Sequence, residues 1–277
     1  MKEFDVVLDS LHAILAENQL NDKQQMRLLN ALGQLDSANA QRFLVNVLNK
    51  PYASPNTQFR ALRALSFGQS ALSNEAYLEI QTLIANGVDS NDASMTASFF
   101  MTLGIMLNNR EVNSIADSLN TDLKNRLSSS SKISDISGLV SALGNSRRDD
   151  NIDLVVAYAE HQDAQVQKSS ARALGMMQKP KAHQHLSKML NNKYQENVTE
   201  AVISAIGQYE ISEHEMNTVY DFASSSSNDK IRYAAISALA NQNKNQELIK
   251  KQLKTLLPNE TSKRNFKAII NTLHRKE

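Results

Sequence analysis

Residues 163–191 read DAQVQKSSARALGMMQKPKAHQHLSKMLN, and this stretch contains the pattern that predicts the fold. Asp163 stands where a helix N-cap is expected, because its carboxylate can accept the unpaired amides of a first helical turn. Small and apolar residues then recur at helical spacing and predict one buried stripe. The stripe consists of Val166, Ser170, Ala173, Leu174 and Met177. Pro180 opens a second helix, since proline is tolerated in a first turn. The second stripe consists of Ala182, Leu186, Met189 and Leu190.

A three-residue signature in this stretch recurs along the chain. It consists of a small residue, then Leu or Ile, then in most copies Gly, as in Ala173-Leu174-Gly175. The eight copies begin at Ala31, Ala64, Thr102, Ala142, Ala173, Ala205, Ala238 and Thr272. Successive copies lie 31 to 40 residues apart, which is the length of two helices and two turns. The repeat predicts an all-α fold of about eight helical hairpins. The chain's low content of Gly (8) and Pro (4) favours the same class.

The repeated segments resemble the HEAT-repeat family, in particular the PBS-lyase-like HEAT repeats. The resemblance rests on residues 163–166 and 171–175, and on a second copy of the pattern within residues 229–239. Arg232 stands at the family's arginine position, whereas Gln167 departs from it. The resemblance covers nearly the whole chain and implies a right-handed α-α superhelix, a HEAT-like solenoid. A fold of this kind says little about activity.

The repeat continues across two serine runs, which favours a single HEAT-like solenoid over residues 1–277. Ser128 to Ser131 is interpreted as a loop inserted between Leu127 and Ile133. A minor break is therefore expected near 128–132. Ser224 to Ser227 is interpreted as a longer turn. The first helical pattern begins early, at Phe4, Leu8, Leu11 and Leu15.

Composition and motifs favour no catalytic or cofactor site. The chain has no cysteine, no His-Glu-x-x-His motif and no Gly-rich phosphate loop. His183 and His185 are two residues apart, which puts them on different faces of a helix, so they are expected to face solvent and to bind no metal. The predictions are no catalytic residue, no cofactor and no metal.

Charge and hydropathy bear on partners and compartment. The net charge of +1 lacks the basic excess of a nucleic-acid binder, so no nucleic acid is expected. The basic run from Lys250 to Lys276 is interpreted as a solvated helix face. No stretch is long and apolar enough to predict a membrane span. Residues Met1 to Ser10 do not resemble a signal peptide, although an exported fragment stays open, and the compartment is not indicated.

The resemblance also implies where a partner would bind. HEAT solenoids place the second helix of each pair on the inner, concave side, and here that helix carries the signature. Eight residues on its face away from the core are candidates for binding a partner: Phe59, Arg63, Phe67, Met101, Ile105, Lys168, Arg172 and Tyr233. Two interpretations remain for the apolar ones. They mark a binding groove, or the assumed helix phase is wrong and they belong to the core.

Three functions are compared. The preferred hypothesis is a non-catalytic scaffold that binds a protein or peptide partner through the concave surface. The alternative is the helical domain of a larger lipid-transfer protein, because the segment from Leu139 to Gly175 is similar to the helical domain of vitellogenin-like proteins. An enzymatic or nucleic-acid role is the third, and the sequence offers neither a catalytic constellation nor a basic stripe for it.

Overall fold

Helices account for the secondary structure of the described part of the chain. The computed structural model describes residues 7, 10–11, 13–15, 17, 19–49, 54–86, 93–109 and 113–274. Within these ranges there are α-helices and short 3-10 turns and no strand. The predicted all-α class is confirmed. The start of the first predicted helical pattern, Phe4 and Leu8, lies outside the described residues.

The chain divides into two compact units, residues 1–146 and 147–277. The helices of the first unit are α1 (Asp22–Leu35), α2 (Ala38–Asn49), α3 (Pro55–Leu65), α4 (Asn74–Asn86), α5 (Ala93–Asn109), α6 (Ser114–Ser129) and α7 (Ile133–Asn145). The helices of the second are α8 (Ile152–Ala157), α9 (Ala164–Met177), α10 (Pro180–Leu190), α11 (Glu196–Ile206), α12 (Glu213–Ser225), α13 (Asp229–Ala240), α14 (Gln246–Leu256) and α15 (Lys263–Leu273). The prediction of one solenoid over 1–277 stays a prediction.

Local sequence signals set the helix starts of the repeat at residues 163–191. The carboxylate of Asp163 accepts a hydrogen bond from the amide of Gln165 (2.7 Å), which makes it the N-cap of α9. Pro180 is the first residue of α10. Both predicted stripes of these helices are buried throughout, from Val166 to Met177 and from Ala182 to Leu190. The two-helix unit is confirmed at residue level.

Each copy of the signature falls on its own helix, and these signature helices pack on one another. In the first unit they form the row α1, α3, α5, α7, and in the second the row α9, α11, α13, α15. The alternate helices form a second row, with α2 against α4 and α4 against α6, and with α10 against α12 and α12 against α14. Each unit is therefore built as two parallel rows of helices with the apolar stripes between them.

The glycine of one signature lies against the small residue of the next signature. A Cβ added to Gly33 or Gly104 would lie 2.1 Å from the carbonyl oxygen of Ala64 or Ala142. A Cβ added to Gly175 would lie 2.8 Å from the Cβ of Ala205, and one added to Gly207 would lie 2.6 Å from the Cβ of Ala238. These distances are too short for any side chain. The glycine and the small residue of the signature thus allow close backbone contact between neighbouring helices of a row.

Gly175→Ala is expected to destabilise the protein by about 1–3 kcal/mol, although alanine is the better helix former by about 1 kcal/mol. The cause is overlap with Ala205 across the α9–α11 contact. Ser204→Ala, on the exposed side of α11, serves as the control and is expected to change stability by less than about 0.5 kcal/mol. Urea unfolding followed by circular dichroism measures both.

The double variant Gly175→Ala/Ala205→Gly tests the cause directly. Removing the methyl group of Ala205 relieves the shortest contact, so the double variant is expected to lose less stability than the sum of its two single variants. Additive losses would show that the contact between the two Cβ positions is not the cause and would leave only the 2.9 Å approach to the Cα of Ala205.

Arg232, the arginine of the family pattern, ties α13 to the turn before α15. Its guanidinium makes two hydrogen bonds with the carboxylate of Glu260, from Nε at 3.0 Å and from a terminal nitrogen at 2.8 Å. The Glu260 side chain is only 2% exposed, and it also accepts from the amide of Ser262 and from the side chain of Asn265. Asn265 in turn donates to the carbonyl of Asp229. The network satisfies a buried carboxylate from four directions.

Arg232→Met is expected to destabilise the protein by about 3 kcal/mol, because it leaves the Glu260 carboxylate buried without its cation. Lys244→Met is the matched control, since Lys244 pairs with Glu210 at 2.8 Å on an exposed surface and should contribute at most about 1 kcal/mol. Chemical unfolding of both variants at neutral pH makes the comparison. Equal losses would contradict the buried network.

The serine runs differ from the sequence interpretation. Helix α6 continues through Ser129, so the expected loop is reduced to residues 130–132. Helix α12 likewise continues through Ser225. In these last turns the hydroxyl of Ser130 donates to the carbonyl of Arg126 (2.7 Å) and that of Ser225 to the carbonyl of Asp221 (2.6 Å). Serine is therefore accommodated in the last helical turns through side-chain to backbone hydrogen bonds.

Candidate partner-binding surface

Interior signature helices expose only one narrow stripe, because neighbouring helices cover their other sides. On α9 the segments 169–171 and 173–175 are buried, whereas Lys168, Arg172 and Met176 are not. The same four-residue spacing leaves Glu200 and Ser204 uncovered on α11, and Gln208 just after it. It likewise leaves Tyr233 and Ser237 uncovered on α13, and Asn241 just after it. These stripes are the surface that a partner of the second unit can reach on this row.

Tyr233 contacts the next helix of the row through Arg264. The Arg264 guanidinium carbon lies 3.5 Å from the centroid of the Tyr233 ring, which is a cation–π contact. The hydrogen bond from Arg264, with a second from Ser237, lowers the pKa of Tyr233 below its ordinary value. Arg264 belongs to the basic run that the sequence interprets as a solvated face. Its place beside Tyr233 follows from the helical register of α15. The signature of that helix, Thr272-Leu273-His274, has neither the alanine nor the glycine of the pattern, so the sequence gives little indication of this register.

The candidate residues of the first unit lie on α3, on the turn after it, and on α5. Phe67 is 40% exposed and Ile105 is 42% exposed, while Phe59 and Met101 are half-buried and Arg63 is exposed. None belongs to the buried core. The assumed helix phase is therefore correct for these residues, and the interpretation that returns them to the core is wrong.

Two further apolar side chains belong with this set. Met26 and Leu35, both on α1, are 43% and 65% exposed. Leu35, Phe67 and Ile105 lie three or four residues after the first residue of their signatures, on or just after successive helices of one row. Neither Met26 nor Leu35 is among the eight candidates that the sequence indicates. A binding role for any of these residues stays a prediction.

Comparisons with known proteins identify the repeat. A family model described as HEAT repeats matches residues 120–207. This segment is similar to HEAT repeats, and the match covers less than half of the chain. The match runs through α7, α9 and α11, three of the signature helices. No curated protein sequence matches the chain.

Two solved structures resemble the chain. One is the complex of CpcE and CpcF of phycocyanin lyase from Nostoc sp. PCC7120, with 17% identity over 94% of this chain and 91% of that chain and a TM-score of 0.44. The other is human deoxyhypusine hydroxylase in complex with glycerol, with 16% identity over 83% of each chain and a TM-score of 0.36.

A cluster of polar side chains joins α10 to α12, and it corrects the expectation for His183. The His183 ring stacks on the Tyr209 ring, with centroids 4.7 Å apart and planes 7° apart. Its Nε2 lies 3.1 Å from a carboxylate oxygen of Glu215, outside hydrogen-bond geometry. His183 is therefore packed between elements of the HEAT-repeat fold and does not simply face solvent. The aromatic partner comes from the turn after α11, which no spacing rule within α10 could indicate.

Glu215 is the buried centre of this cluster. Its carboxylate accepts from the hydroxyl of Ser187 and from the amide (2.7 Å) and hydroxyl (2.8 Å) of Ser212. The Ser212 contacts form a capping box at the start of α12. The Ser187 hydroxyl also lies within hydrogen-bond distance of the backbone carbonyl oxygen of His183 (3.1 Å), and it does not donate to the His183 ring. The arrangement explains a helix contact and a helix start.

Acid is expected to weaken the protein partly through Glu215. Burial alone would raise the pKa of Glu215, but the hydrogen bonds from Ser187 and Ser212 and the nearby His183 together hold it below its ordinary value. A carboxylate with a lowered folded pKa contributes stability that is complete above its unfolded pKa and is lost as the pH falls through the folded pKa. Glu215→Gln should therefore flatten the fall in unfolding free energy between about pH 5 and pH 3. Urea unfolding across this range measures the slope, and an unchanged slope would contradict the assignment.

Neither a metal site nor a membrane-spanning helix is found in the described ranges. These ranges contain no group of three His, Cys, Asp or Glu side chains that could hold a metal ion. In the same part of the chain, every helix is too short or too polar to cross a bilayer.

Proposed function

We propose that this chain is a non-catalytic protein-binding scaffold, and that the exposed stripes of its signature helices bind a protein or peptide partner. One observation carries the proposal. The packing of the signature helices covers everything except one stripe per interior helix, and these stripes carry Phe67, Ile105, Arg172 and Tyr233. Solvent-facing positions on a helix ordinarily favour small polar and charged residues, so large apolar and aromatic side chains there need a reason.

The residue types suit a protein interface. Aromatic side chains, methionine and arginine are enriched in the centres of such interfaces and dominate their energetics. Side chains anchored on packed helices also lose little freedom on binding, which lowers the entropic cost of association. Repetition places equivalent positions of successive helices side by side, so an extended partner can contact several helices of one row.

Charged substitutions on the stripes are expected to abolish partner binding while leaving the fold intact. Phe67→Asp and Ile105→Asp test the first unit, and Arg172→Glu tests the second. The controls are Leu78→Asp on α4 and Leu248→Asp on α14, which are 57% and 39% exposed and lie on helices of the other row. The amount of each protein that co-purifies with the intact chain should fall by at least about tenfold in the stripe variants. A tenfold loss of affinity corresponds to ~1.4 kcal/mol of binding free energy. The amounts should be unchanged for the controls.

Quantitative mass spectrometry of affinity-purified material from the source cells reads out the result, and circular dichroism checks the fold. If the stripe variants keep the same partners as the intact chain, the proposal is wrong. Binding of lipid vesicles in place of any protein, lost in the Phe67 and Ile105 variants, would instead favour the lipid-transfer alternative.

A further inference from the structure

The stripes of the second unit carry an excess of positive charge. The aligned outward positions of α9, α11, α13 and α15 hold three cationic side chains, Lys168, Arg172 and Lys267, and one anionic side chain, Glu200. Two more cationic side chains, Lys230 and Arg264, are exposed in the first turns of α13 and α15, about one helical turn before the aligned positions. The whole chain carries a net charge of only +1. Positive charge is thus concentrated on one row of helices.

These cations have no acidic partner in the described part of the chain. Some cations elsewhere in the second unit are paired, as Lys179 is with Asp149 (2.8 Å) and Lys181 with Asp153 (2.7 Å). No ion pair within the described residues involves Lys168, Arg172, Lys230 or Lys267. Arg264 contacts the Tyr233 ring, which leaves its guanidinium charge uncompensated by a carboxylate.

We propose that the second unit's stripe binds an acidic peptide segment of a partner protein. The proposal rests on the proposed scaffold function and specifies the partner's chemistry. Arginine guanidinium groups pair with carboxylates through two parallel hydrogen bonds, and lysines add attraction that depends on ionic strength. Met176, which is 42% exposed, supplies an apolar contact beside the charges.

The size of the surface sets the length of the segment. Packed helices lie about 8–10 Å apart, so a row of four spans roughly 27 Å between its outer axes. An extended chain rises about 3.3 Å per residue. A segment of about eight residues therefore reaches from Lys168 and Arg172 on α9 to Arg264 and Lys267 on α15.

The acidic residues on the same row favour a peptide over a nucleic acid. Glu200 lies in the stripe of α11, and Glu196 lies at the start of that helix, where it accepts from Asn228 at 2.7 Å. A continuous phosphate backbone would pass these carboxylates at close range and be repelled. A peptide can place an uncharged residue there.

Fluorescence anisotropy with the full-length chain tests the proposal. The probe is a labelled peptide of about ten residues in which Asp and Glu surround one Phe and one Leu, long enough to span the row. Its comparison probes are the same peptide with Lys in place of each acidic residue, and a single-stranded DNA of about twelve nucleotides, a length typical of single-strand binding sites. The acidic peptide should bind, and its affinity should fall as salt is raised. The Lys peptide should not bind.

Arg172→Glu and Arg264→Glu are each expected to weaken the acidic peptide by at least about fivefold, a loss of ~1 kcal/mol. Lys193→Glu is the matched control, because it makes the same charge change at an exposed position in the turn after α10. It should leave the affinity within about twofold, a change of less than ~0.5 kcal/mol.

Three results would overturn the proposal. They are no binding of the acidic peptide, equal weakening by Lys193→Glu, and tighter binding of the DNA that is lost in the same two arginine variants. Failure of the scaffold function itself is seen separately. If co-purified proteins are lost with Phe67→Asp but kept with Arg172→Glu, the scaffold function stands and the acidic-segment proposal does not.

Discussion

The close approach of Gly175 to Ala205, and of the equivalent pairs along each row, is the contact on which the rest of the structure depends. A helix can come this near to its neighbour only where one side lacks a Cβ and the other side has a small one. Close approach lets Leu174 and its equivalents fill the space between the two rows, and these residues are buried in every copy except the last, where Leu273 is partly exposed. Where Ser66 replaces the glycine of the second signature, its hydroxyl turns back to the carbonyl of Arg63 (2.7 Å). A small polar residue that satisfies itself locally can therefore stand at the same position.

The same packing decides which surface is left for function. A helix with neighbours on both sides of its row and a second row beneath it has one free stripe, whatever its sequence. Selection for a partner can then act on three or four positions per helix without disturbing the core. Stability is maintained elsewhere, by Arg232 and Glu260 near α15 and by Glu215 between α10 and α12. Neither buried carboxylate lies among the aligned stripe positions, so the contacts that hold the fold and the surface proposed for binding are largely separate.

Sequence reasoning predicted the parts of the structure that local chemistry determines. Asp163 as an N-cap, Pro180 at a helix start and the buried stripes follow from spacing along one helix. The contacts of His183 and Tyr233 could not be predicted in this way. His183 stacks on a tyrosine 26 residues away, and Tyr233 lies against an arginine 31 residues away. Each distance along the chain is close to one repeat, so contacts of this kind depend on how neighbouring repeats are staggered. The stagger is set by the packing between helices and not by any single helix. The loops predicted at the serine runs are shorter than expected for a different reason, because serine's preference for turns is weak and its hydroxyl can bond a carbonyl of the preceding helical turn.

The two units use equivalent positions for different chemistry. Three residues after the first residue of the signature, the first unit presents Phe67 and Ile105, while the second presents Met176, Gln208 and Asn241. Five positions before the signature, the second unit presents Lys168 and Lys267 where the first has Met26 and Phe59. An apolar stripe recognises a partner mainly by the area it buries, and that attraction depends weakly on salt. A charged stripe adds specificity and speeds association, and that contribution falls as salt rises. On the proposed function, raising the ionic strength therefore weakens contacts to the second unit's stripe more than contacts to the first unit's stripe.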